Sequence, residues 1–113
     1  MEIPAITTYQ MREVDRLMID EFHINLIQMM ENAGRNLADL AKDRFLDHNP
    51  LGKSVHILVG SGGNGGGGMV AARLLHNWGA KINVYLTHNH SHFDGIPAQQ
   101  LKILNSIIQI ISD

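Results

Sequence analysis

The chain contains no cysteine among its 113 residues. That absence removes disulfides, thiolate zinc sites, iron–sulfur clusters and cysteine nucleophiles together. A surplus of positive charge is also missing: nine Lys and Arg stand against eleven Asp and Glu, a formal charge of −2. Binding to a phosphate backbone or an anionic membrane is therefore not expected. No stretch approaches the roughly 20 consecutive apolar residues needed to span a bilayer, and Met1 to Gln10 lacks the basic and apolar regions of a secretory signal. These features point to a soluble, cytoplasmic chain. A hydrophobic content of 44% over this length is enough for one compact domain and too little for two independent cores.

What is present is helical periodicity, two short apolar runs and one concentration of glycine. Thr7, with Gln10 three residues on, has the form of a capping box and opens a helix from about Tyr9 to Glu21. Met11, Val14, Leu17, Met18 and Phe22 recur along it at helical spacing. A longer helix follows Asn25, with Met30, Gly34, Leu37, Leu40, Ala41 and Phe45 expected on one buried face. The methionines read as packing residues. Val55 to Val59 and Ile82 to Leu86 are short, β-branched and bounded by turn residues, as buried parallel strands are.

Between these strands, seven of the nine residues from Gly60 to Gly68 are glycine, read as a loop, and Met69 to Trp78 as the helix after it, ended by Gly79. Strand, glycine segment, helix and strand make a βαβ unit. Asp94 and Pro97 open a last helix expected to run through Leu101, Leu104 and Ile108 to Ile111. Two parallel strands do not make a stable sheet in water, so further chain or a partner subunit is expected to cover the edge.

Glycines at the carboxyl end of a parallel strand allow close backbone approach, and the following helix directs free N–H groups at an anion. Gly60-Ser61-Gly62-Gly63-Asn64-Gly65 satisfies G-x-G-x-x-G in its proper context. The second strand ends in Leu86-Thr87-His88, without the carboxylate that holds a ribose hydroxyl in ordinary dinucleotide-binding dehydrogenases. No Gly-Lys-Ser or Gly-Lys-Thr follows, which excludes a Walker phosphate loop. A ligand-free connector is disfavoured, because so many glycines carry a high ordering entropy. His88, His90 and His92 alternate ahead of Asp94; in a polar segment we read them as solvated and not as zinc or nickel ligands.

Met30-Glu31-Asn32-Ala33-Gly34, the run Val59 to Gly68 and Ala71-Ala72-Arg73-Leu74 resemble the YjeF N-terminal domain family, the NAD(P)H-hydrate epimerases. Asp15 on the first helix also fits the family pattern. The resemblance covers essentially the whole of residues 1–113 but only about the first half of a typical domain, so the chain is expected to be truncated at its C-terminus. It implies a Rossmann-like three-layer α/β/α sandwich with a mostly parallel sheet. The implied activity is interconversion of the R and S epimers of hydrated NADH and NADPH (NADHX and NADPHX), in repair of nicotinamide cofactors.

The resemblance further implies that Gly63, Asn64, Gly65, Gly66 and Gly67 bind the substrate diphosphate, and that Asn64 ligates a potassium ion. It also implies a homodimer and a functional pairing with an NAD(P)H-hydrate dehydratase. Two positions depart from the family's G-x-G-N-N-G-G-D-G: its first Asn is Gly63 here, and its Asp is Gly67. Backbone cradling of a diphosphate needs only N–H groups and survives both changes. YjeF-like domains also serve as dimerisation modules, for example in a scaffold protein of messenger RNA decapping, and loss of two polar side chains suits that alternative. No catalytic residue is assigned at this level; Glu31 and Asn32 are candidates for approach to the glycine segment, and Asp15 reads as solvated.

Overall fold

A computed structural model describes residues 1–112. Its elements are α1 (Thr8–Asp20), α2 (Leu26–Phe45), β1 (Ser54–Val59), α3 (Gly63–Asn77), β2 (Lys81–Leu86), a short 3₁₀ turn at His90–His92, α4 (Gly95–Asn105) and β3 (Ile110–Ser112). The three strands form one parallel sheet in the order β1-β2-β3. Val59 lies opposite Leu86, and Val84 opposite Ile110. The architecture is the α/β parallel-sheet class expected from the βαβ pattern.

Helix starts follow their caps. The Thr7 hydroxyl accepts the Gln10 amide at 3.1 Å while the Gln10 side chain accepts the Thr7 amide at 2.8 Å, so two of the free donors of the first turn are satisfied reciprocally. Gln28 does the same for the Asn25 amide at the head of α2. Gly79 leaves α3 at φ +96°, the left-handed conformation that ends a helix without Cβ strain.

Two clusters make the core. Val59, Met69, Val84, Leu86, Leu101 and Leu104 pack α3 and α4 onto the sheet. Met30, Ala38, Val70, Ala71 and Leu74 join α2 to α3. The close crossing of α2 and α3 depends on Gly34, where an added Cβ would lie 2.4 Å from the Val70 Cβ. Strand alternation sends Ile57, Val59 and Val84 toward the helices, while His56, Leu58 and Tyr85 point the other way. On that second face Leu58 is 75% exposed and the His56 and Tyr85 rings stack at 5.9 Å.

Several sequence expectations are corrected. Helix α3 begins at Gly63 and not at Met69, because packing of the glycine turn against β1 and Met30 overrides glycine's weak helix propensity. The last helix ends at Asn105, and the isoleucines after it turn into a third strand, so the sheet has three strands and not two. Helix α1 contains no buried residue, and on α2 the core face is Met30, Gly34 and Ala38, leaving Leu37, Leu40 and Phe45 exposed. Met30 and Met69 are core residues, whereas Met1 and Met11 are exposed.

Candidate functional site

The carboxyl end of β1 runs into Gly60-Ser61-Gly62, and Gly62 caps α3 with no side-chain hydrogen bond to its first turn. The first ladder bond of the helix joins the Gly66 amide to the Gly62 carbonyl at 3.0 Å. The amides ahead of it therefore carry the positive end of the helix with no side-chain cap to satisfy them. Gly65 is what lets the helix start this close to the strand: an added Cβ would sit 1.8 Å from the Gly60 carbonyl oxygen. Backbone cannot move aside as a side chain would, so this position admits only glycine.

Above this turn lies a cavity of about 390 Å³ between α1, α2 and the first turn of α3. Gly63, Asn64 and Gly67 form its floor. Met11 and Asp15 of α1 and Met30, Ala33 and Leu37 of α2 form its walls. A largely apolar concavity with a few polar groups at one end is the usual form of a small-ligand site. Asp15 is the one ionisable side chain in the lining, and among the described residues it has no hydrogen-bond or ion-pair partner. On sequence alone Asp15 fits the family pattern but reads as solvated; the further signal available is its place on the same helical face as Met11, one turn after it.

Of the five positions expected to bind diphosphate, Gly63, Asn64 and Gly67 line the cavity, while Gly65 and Gly66 are buried beneath it. At Gly63 and Gly67 an added Cβ would meet no atom within 4 Å, so both positions have room for a side chain. Glu31 and Asn32 are absent from the lining. Glu31 instead accepts from Arg73 at 2.6 Å and from Gln100 at 3.1 Å, tying α2 to α3 and α4.

At the same end of the sheet Thr87 donates its hydroxyl to the Val59 carbonyl and contacts the His88 ring. The His88 and His92 rings are 5.7 Å apart and tilted, and among the described residues no set of three His, Asp or Glu side chains gathers as a metal site would require. The Asn64 amide, exposed in the first turn of α3, offers an oxygen of the kind that suits a hard monovalent cation and needs no histidine cluster. No helix of the described residues is long and apolar enough to cross a membrane.

Residues 26–112 match the family described as YjeF-related protein N-terminus. The chain is 44% identical over 102 residues to a protein of Dehalogenimonas lykanthroporepellens named NAD(P)H-hydrate epimerase, covering 90% of this chain and 41% of the relative. It is 33% identical over 105 residues to the Bifunctional NAD(P)H-hydrate repair enzyme Nnr of Salinibacter ruber, covering 92% of this chain and 19% of that one. The crystal structure of yeast ynu0, YNL200c superposes with a TM-score of 0.82 at 28% identity, over 97% of this chain and 47% of the yeast chain. The chain thus spans less than half the length of the relatives it matches.

Proposed function

Because the chain belongs to the YjeF-related N-terminal family, we propose that it acts in the cytoplasm as an NAD(P)H-hydrate epimerase, taking NADHX and NADPHX as substrates. The observation that carries this reading is the uncapped glycine turn of α3 opening into an apolar cavity. The turn's amides and helix dipole suit a diphosphate, and the methionine-lined wall suits the hydrated nicotinamide ring. Asn64, through its side-chain oxygen, would hold the potassium ion, whose charge would offset that of the diphosphate.

The bifunctional relative from Salinibacter ruber, named as a repair enzyme, supports a functional pairing with an NAD(P)H-hydrate dehydratase. The exposed Leu40 on α2, outside the cavity lining, favours a homodimer as the assembled form, and favours also the second reading, a dimerisation module without turnover.

The test is consumption of the R epimer of NADPHX by this chain, coupled to a dehydratase specific for the S epimer, with potassium present and then replaced by sodium. Potassium-dependent turnover is expected. Absence of turnover with the coupling enzyme in excess, together with a stable dimer, would favour the dimerisation module.

A further inference from the structure

We propose that Asp15 is the proton-transferring residue of the epimerisation, an inference that rests on the epimerase reading above. Inverting the hydroxyl-bearing carbon of the hydrated ring by ring opening requires one group to accept a proton and return it. The hydroxyl proton passes to the carboxylate as the carbon–oxygen double bond forms. The bond from that carbon to the ring nitrogen breaks, its electron pair stays on nitrogen, and nitrogen takes the proton from the carboxyl group. Rotation of the aldehyde followed by the reverse steps closes the ring on its other face, with no oxidant, reductant or co-reactant consumed.

Among the described residues that line the cavity, only Asp15 can perform this exchange. Asn64 is the other polar side chain of the lining, and an amide does not titrate in this role. The remaining walls are methionine, leucine, alanine and glycine. Of the neighbouring charges on α1, Arg16 pairs with Glu13 and Asp20, outside the cavity. Asp15 is left without a partner among the described residues, half-buried and lining the same cavity as Gly63, Asn64 and Gly67. A carboxylate that lines an apolar cavity and makes no hydrogen bond or ion pair in the fold is free to exchange a proton with a ligand held there.

The experiment compares the unaltered chain with Asp15→Asn, Asp15→Glu and Asp20→Asn in the coupled epimerase assay. Asp15→Asn is expected to lower kcat by about 100-fold or more with KM changed by less than about threefold. Asp15→Glu, which keeps the carboxyl group, recovers at least about tenfold of that loss, and Asp20→Asn, on the outer side of the same helix, retains full turnover. Because Asp15 makes no bond in the fold, its Asn variant is expected to unfold at the same urea concentration as the unaltered chain. An Asp15→Asn chain with kcat within about threefold of the unaltered one, a change in KM alone, or an equal loss in Asp20→Asn would overturn the proposal while leaving the epimerase reading standing. An inactive unaltered chain would overturn both.

Discussion

Arg73 on α3 donates from one guanidinium nitrogen to both carboxylate oxygens of Glu31 on α2, at 2.6 and 2.5 Å. Gln100 of α4, only 2% exposed, donates to the same carboxylate at 3.1 Å. One acidic side chain therefore fastens the three helices that lie beside the sheet.

Removing Glu31 leaves two donors without an acceptor. Glu31→Ala is expected to lower stability by about 2 kcal/mol in urea unfolding, the usual cost of unpairing buried polar groups bonded to a charge. Adding Gln100→Leu in the same chain recovers part of the loss, because the stranded amide is gone. A double variant as unstable as the sum of its single variants would show that the carboxylate and the amide act independently.

The glycines of α3 are not equivalent. Gly65→Ala drives a Cβ to within 1.8 Å of the Gly60 carbonyl oxygen, and a loss of about 3 kcal/mol or failure to fold is expected. Gly67→Ala meets no neighbour within 4 Å and removes glycine's backbone entropy from a helix, a gain of about 0.5–1 kcal/mol. Thermal unfolding of the two variants distinguishes them by sign.

This contrast marks how much of the molecule was legible beforehand. The βαβ order, the capping box at Thr7 and the stop at Gly79 are local signals, and the structure has each of them where the sequence places it. The start of α3 was not legible, because glycine's propensity argues against a helix and only contact with Gly60 and Met30 stabilises one. The strand Ile110–Ser112 was hidden because its isoleucines satisfy the helical and strand periods equally over so short a run. Of the site, Gly63, Asn64 and Gly67 were recognisable from their motif. Asp15 fits the family pattern but reads as solvated, since its place in the cavity depends on how α1 lies across α2.

Gly63 and Gly67 occupy positions where the family resemblance expects Asn and Asp, and both have open space above them. The double variant Gly63→Asn with Gly67→Asp is expected to fold and to bind NADPHX about tenfold more tightly, as two added polar contacts of about 0.7 kcal/mol each would give. Calorimetric titration of both chains checks this, and equal affinities would show that the backbone alone sets binding.

Leu40 stands on the exposed side of α2, outside the cavity lining. If this face joins two copies, Leu40→Lys converts a dimer into a monomer in sedimentation velocity. A chain that sediments identically with and without the substitution would place any contact elsewhere.

The central claim is that the first turn of α3 and the cavity above it form the nucleotide site. The most direct measurement is a titration of the isotope-labelled chain with NADPHX in potassium buffer, following the backbone amide resonances. Saturable shifts concentrated at Gly63, Asn64, Gly65, Gly66 and Gly67 and at Met11 and Asp15 are the predicted result. Shifts confined to the exposed sheet face around Leu58 and Tyr85, or an unperturbed glycine turn at saturating ligand, would contradict it.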